Sequence, residues 1–376
     1  MRNYIPLPHE TTIRKYIYPD IIKFITYLFD SNCINNVLDE FISNEPMNAT
    51  LVVDAASFKA VTGEKILEKF PHLKSIIPDH IYNSIFVFYL EPINLNKKPF
   101  PVHVDLKENG FASDLTLQCI KEIISKLESK KIIIDFICTD GDHKYDDLHE
   151  NFFDIIFHLH KANFSFIEIV ALLSETKMNN FPLSDLLHLL KNLRSALIFY
   201  GVEIDNAKSA CVLPENLNLY FLGKAISDKT SHGKMKDNYP FMIFSSSTIE
   251  KAIQNNDWNF VFYALPFNLI INAVRNPYLS FELRKYNLET AFYFMINYLY
   301  QMNDSISPPL SRIGIIRMIN TIIGITIALE KYDFVHLGHL SSHPVENYFG
   351  ALRIACNYDH SLANIFRGIG KSIFIR

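Results

Sequence analysis

The 376-residue chain predicts an α/β protein, a mixed β-sheet flanked by helices and interrupted by a mostly α-helical insertion. Three observations predict it. Apolar runs of strand length lie at Asn48–Asp54, Ser84–Leu90, Phe100–Leu106 and Ile132–Thr139. An amphipathic stripe over Asp114–Leu127 separates the third run from the fourth, and such a helix is what a crossover to a parallel strand requires. From residue 201 the chain changes to loops rich in Asn, Ser, Lys and Asp, then to long apolar helical patterns.

Composition sets the outer limits. At 49% hydrophobic and 13% aromatic residues, the chain can bury a sizeable core. A net charge of −4 gives no global basic signal for nucleic acid, so DNA would have to meet a local groove or bound cations. The five cysteines (Cys33, Cys119, Cys138, Cys211 and Cys356) show neither CxxC nor Cys/His ligand spacing, which argues against a zinc finger and a disulfide framework. Arg2, Pro6, Pro8, His9 and Glu10 leave no apolar signal core. Ile313–Leu329, broken by Arg317 and Asn320, reads as a buried helix rather than a membrane span. A soluble intracellular protein is the expectation.

In order, residues 1–48 form a helical lead. Thr11 is a plausible N-cap, Ile13, Tyr16, Ile21, Ile22 and Ile25 make one stripe, and a second helix runs about Ile34–Ile42. Residues 49–200 hold the sheet. Its first strand ends at Asp54, and the next two, joined by turn residues, continue an antiparallel meander. Seven of the eight residues Ile132–Thr139 are β-branched, aromatic or Cys, and Asp140-Gly141 then turns the chain. Asp-Gly after a strand is commonly a turn and nothing more. A helix follows at Asp146–Ala162, a fifth strand at Phe166–Leu173, and a helix from Pro182 to Arg194 with Ser184 as N-cap. His188, Lys191 and Arg194 recur at i, i+3 and i+6, a face that suits phosphate or plain solvent. Residues 201–335 form the helical insertion, with long patterns at Val261–Leu299 and Arg312–Leu329 parted by Pro308-Pro309. Trp258 reads as core. In 336–376, Pro344 suits a first helical turn and puts Glu346 near a helix N-terminus, where an acid can act as a cap.

The order β-β-β-α-β is that of a ribonuclease H-like core, in which the fourth strand returns beside the first. In that arrangement Asp54 and Asp140 lie near one another.

Together these pieces resemble the catalytic region of P element-type (THAP-associated) transposases. The matching residues are Leu7-Pro8, Thr12-Ile13-Arg14-Lys15, Asp54, Thr139-Asp140-Gly141, the Asp185–Arg194 run, and His343-Pro344-Val345-Glu346-Asn347-Tyr348-Phe349-Gly350 with Arg353. The resemblance implies that Asp54, Asp140 and Glu346 are an Asp-Asp-Glu set of metal ligands, with Asp142 as a rival to Asp140. It implies metal-dependent DNA cleavage and strand transfer on two Mg²⁺ or Mn²⁺ ions, DNA as transposon ends and target, a homo-oligomer, and a nuclear location in a eukaryote. His188, Lys191, Arg194 and Arg353 are then the candidates to contact DNA. Two ions roughly 3.5–4 Å apart can activate the nucleophile and stabilise the leaving oxygen. Three carboxylates suit such hard cations and would repel one another without them.

The family's N-terminal zinc-coordinating domain has no counterpart here, so the alternative is a domesticated or truncated, catalytically inactive protein that binds DNA or other proteins. Some members use GTP, but the chain has no Gly-x-x-x-x-Gly-Lys loop, and GTP is not carried over.

Overall fold

The computed structural model describes residues 23–340 apart from 24–25, 42–45, 70, 75–76, 79, 94–98, 108–112, 141–142, 177–178, 204–210, 213–221, 235, 302–310 and 333–339. The expected helix through Ile13 and Ile25, the Pro308-Pro309 break and all of 341–376 lie outside the described residues.

The sheet is the mixed, ribonuclease H-like one. β1 (Met47–Thr62) pairs antiparallel with β2 (Ile81–Pro92), and β2 pairs antiparallel with β3 (Phe100–Lys107). β4 (Ile132–Thr139) pairs in parallel with β5 (Phe181–Ser184), Phe136 opposite Phe181 and Thr139 opposite Ser184. The strand order is β3-β2-β1-β4-β5. β4 has the bounds that its β-branched run predicts, and six of its eight residues in a row are buried. A strand buried on both faces reads as a continuous apolar run rather than an alternating one. By contacts the chain forms two compact units, the first reaching Ile134 and the second spanning Asp135–Ser341.

In the first unit, α1 (Ile34–Phe41) buries Ile34, Val37 and Leu38, one face at i, i+3 and i+4, against β3 and α3. A short α2 (Gly63–Lys69) follows β1. α3 (Ser113–Ser129) buries Ile120, Ile123, Ile124 and Leu127, the stripe expected from the sequence. Lys130 then pairs with Asp39 at 2.8 Å, and the Lys131 carbonyl accepts the Met47 N–H at 3.2 Å.

The second unit contains the main departures from the sequence reading. α4 (Asp146–Lys161) is as expected, but the run expected as a fifth strand is a helix, α5 (Phe166–Glu175). Ser165 and Glu168 close a capping box there, and Phe166, Ile169, Val170 and Leu173 are buried at helical spacing. The fifth strand is the four residues of β5, the last three of which the predicted helix had absorbed. α6 therefore begins at Leu186 and runs to Tyr200, with Asp185 and not Ser184 as its N-cap.

Beyond a two-residue pairing of β6 (Val202–Glu203) with β7 (Cys211–Val212) come four short helices: α7 (Lys224–Ser227), α8 (Ser231–Lys234), α9 (Asn238–Ile243) and α10 (Ser246–Gln254). Two long ones, α11 (Trp258–Arg275) and α12 (Phe281–Gln301), pack on one another. Trp258 is 49% exposed at the start of α11, so it is not the core residue expected.

α13 (Arg312–Lys331) packs on α12 as well as on β5, α4, α5 and α6, so it joins the insertion helices to the strand that it covers. It is long and apolar enough to cross a membrane, yet 83% of its apolar window is buried inside the protein, as a core helix would be. Its close approach to β5 depends on Gly324. A Cβ there would overlap Leu183 Cδ2 and lie 3.0 Å from Phe181 Cδ1.

Candidate functional site

The expected acids fall in different places. Asp54 is on β1 opposite Val87, 9% exposed, and its Oδ1 accepts the Ala55 N–H at 2.7 Å. It does not end its strand, as the sequence reading had it. Pairing with β2 carries β1 on through Ala55-Ala56-Ser57 and, past a register shift, to Thr62. Asp140 is the first residue after β4 and is half-buried. Asp54 belongs to the first unit and Asp140 to the second. Asp142, Glu346 and Arg353 lie outside the described residues.

The backbone that delivers Asp140 is fixed by a buried polar cluster that the sequence reading missed. His149 of α4 sits beside the last residues of β4 and β5, its Nε2 3.4 Å from Thr139 Oγ1 and 3.2 Å from Ser184 Oγ. Asn320 of α13 donates through Nδ2 to the His149 carbonyl at 2.9 Å, and the same nitrogen lies 3.2 Å from His149 Nδ1. Nδ1 must therefore accept, which puts the ring proton on Nε2, toward the two hydroxyls. Burial, and then the nearby Arg317 charge, push the His149 pKa down to about 3, so the ring is neutral. Thr321 Oγ1 accepts the Ser184 N–H at 3.1 Å, and the Asp185 N–H donates to the Thr139 carbonyl at 3.0 Å. Asp140 and Asp185 thus follow two strand ends, Thr139 and Ser184, that are tied to each other and to α4 and α13. Arg317, 4% exposed, pairs with Asp146 in the first turn of α4. In the sequence the only hints are an Asn and an Arg inside an otherwise apolar helix. Polar residues at buried positions need partners, so such residues point to a network.

The face expected to meet DNA is largely engaged elsewhere. Arg194 is 1% exposed, and its guanidinium donates to the carbonyls of Ala225 (2.8 Å), Asp228 (2.9 Å) and Gly233 (3.3 Å). It also lies over the Tyr239 ring at 4.9 Å. This corrects the expectation that Arg194 contacts DNA: it holds α7, α8 and α9 to α6. Lys191, with 11% of its side chain exposed, pairs with Asp237 at 2.6 Å. The third member, His188, is half-buried, and its backbone N–H caps onto Asp185 Oδ1 at 3.1 Å. A cleft of about 570 Å³ opens nearby, between Phe241, Ser245 and Arg275, and neither Asp54 nor Asp140 lines it.

No protein-family model matches the chain, and no curated protein matches it. Among solved structures it is similar to the Drosophila P element transposase strand transfer complex, at 15% identity and a TM-score of 0.64. The likeness covers 99% of this chain and 86% of that one. At that identity it is a likeness of fold, and it extends over nearly the whole chain.

Proposed function

We propose that the chain is a transposase-type enzyme that cleaves DNA and transfers strands, with Asp54, Asp140 and Glu346 holding two divalent ions. The observation that carries this reading is the fold-level likeness to a transposase over 99% of the chain, on a sheet whose β1 bears Asp54 and whose β4 leads into Asp140. The donor set fits the ions. All three ligands are carboxylates, which suit Mg²⁺ or Mn²⁺ and exclude the softer metals that prefer sulfur. When bound, such a pair activates water or a 3′-hydroxyl and stabilises the leaving oxygen.

The chain's own residues do the positioning. The Ala55 N–H orients the Asp54 carboxylate, and the cluster at His149 limits the travel of Asp140. DNA is the substrate, in a homo-oligomer and, in a eukaryote, in the nucleus. Contacts with the DNA backbone fall to groups other than Arg194.

The test is nicking of supercoiled plasmid in Mg²⁺ or Mn²⁺ by wild type and by Asp54→Asn, Asp140→Asn and Glu346→Gln. Each variant should lose more than the roughly 10–100-fold that loss of an outer-shell partner costs. DNA affinity should persist, because other groups carry it. Asp142→Asn should stay active if Asp140 is the ligand. A nicking wild type paired with an equally active Asp140→Asn or Glu346→Gln would remove that acid from the site. DNA binding without any nicking would favour a transposase-derived binding protein.

A further inference from the structure

The first unit holds a second group of ligating side chains, apart from the three acids. His103 and Asp105 are two residues apart on β3, so both project from one face of the strand. Cys119 of α3 comes to the same point, and one donor atom from each of the three lies within 4.8 Å of the other two. His103 is 4% exposed, its ring 5.5 Å from that of Phe88, the residue opposite it on β2. The ring donates a hydrogen bond to the backbone of Leu28, while buried Nδ1 has no hydrogen-bond partner. A nitrogen left unsatisfied inside a protein is costly unless something accepts its lone pair. A histidine with one nitrogen committed to a backbone carbonyl and the other left unpartnered, beside an acid and a thiol, has the arrangement of a metal ligand.

We propose that His103 Nδ1, the Asp105 carboxylate and the Cys119 thiolate bind one Zn²⁺ ion, which clamps α3 to β3. Nitrogen, oxygen and sulfur donors together suit zinc and discriminate against Mg²⁺ and Ca²⁺. Zinc bonds of about 2.0–2.3 Å in tetrahedral geometry separate ligand atoms by roughly 3.4–3.8 Å, so the group closes with a shift of about 1 Å. Asp105 and Cys119 are half-buried, which leaves a fourth position open to water. The Lys107 ammonium pairs with Asp105 Oδ2, and the carboxylate would be shared with it. Binding replaces the thiol proton with the metal and releases that proton to solvent. The site is independent of the three acids and uses none of them.

The experiment strips the full chain with a chelator and titrates it with Co²⁺ and, separately, Zn²⁺. Co²⁺ should bind at one per chain through this site, with a thiolate-to-metal charge-transfer band and the intense visible bands of a tetrahedral ion. Cys119→Ser should abolish the charge-transfer band, and Cys33→Ser, with its thiol elsewhere in the same unit, should leave it. Zn²⁺ at about 100-fold over its Kd should raise Tm by roughly 3–5 °C in wild type and not in Cys119→Ser or Asp105→Asn. A charge-transfer band that survives Cys119→Ser, or no zinc-dependent shift in folded wild type, would overturn the assignment. Either result would leave the nicking test of the acids untouched.

Discussion

Arg194→Lys separates the structural from the DNA-binding role of α6. In the wild type the guanidinium makes three hydrogen bonds to carbonyls of α7, of its C-cap and of α8, two of them at 2.8 and 2.9 Å and one at 3.3 Å. A hydrogen bond to a charged group contributes about 1.5–3 kcal/mol, and a buried carbonyl left without a donor costs a similar amount. Lysine keeps the charge but carries one compact ammonium, which cannot reach Ala225, Asp228 and Gly233 together. Losing two of the three bonds costs about 3–6 kcal/mol, and the lost stacking on Tyr239 adds about 0.5–1 kcal/mol. Against a domain stability of roughly 5–15 kcal/mol that is a large fraction. Urea unfolding followed through Trp258, the only tryptophan, should show the loss directly. DNA affinity measured across salt, at a temperature where both proteins are folded, should keep its slope, since Arg194 neutralises no phosphate. A stability change under about 1 kcal/mol, with a salt slope shallower by about 1, would refute the structural role and restore the phosphate contact.

Two more changes probe the packing behind Asp140. Gly324→Ala should destabilise by about 1–2 kcal/mol, the overlap with Leu183 outweighing a helix-propensity gain of about 1 kcal/mol. Leu183→Ala should cost about 2–5 kcal/mol alone, and in the double variant the new methyl should recover part of that; strictly additive urea midpoints would count against the contact. The third is a pH effect. The neutral form of His149 is favoured in the fold, with a pKa near 3 against an ordinary 6.5. Its contribution is therefore complete above pH 6.5 and is lost as pH falls toward 3, at about 1.4 kcal/mol per unit. Wild type should lose about 2 kcal/mol more than His149→Gln between pH 7 and pH 5, and equal losses would show that the ring is not buried neutral.

Much of the fold was legible because each element carries one clear period. The strands β2, β3 and β4 and the helices α3 and α4 lie within a few residues of their apolar patterns. Phe166–Leu173 misled because Ile-Glu-Ile-Val-Ala-Leu-Leu satisfies both periods at once. The deciding signal was local, since Ser165 and Glu168 form the capping pair that opens a helix and has no use in a strand. β5 was hidden for the opposite reason. Four residues carry no period, and what makes them a strand is the partner β4. The end of β1 was set too early, at Asp54, on similar grounds, because Ala-Ala-Ser favours no strand alone and extends β1 to Thr62 only by pairing with β2.

The sites divide along the same line. A carboxylate at a strand end can be read from its neighbours in sequence, so the place of Asp140 just after β4 was visible. Lys191 and Arg194 have the spacing of a phosphate-binding face, and spacing cannot tell a solvent-facing charge from one that meets a carbonyl thirty residues on. The same limit concealed His149 and Asn320, which lie 171 residues apart. Their bonds matter because the cluster is fully buried. A hydroxyl or ring nitrogen there has no water to fall back on, so displacing Thr139 or Ser184 leaves several polar atoms unsatisfied together. That penalty resists sliding of β4 against β5 at the end where Asp140 emerges. Under the proposal that Asp140 is a metal ligand, a carboxylate one residue beyond such a clamp has less of its position to find on binding, which raises affinity.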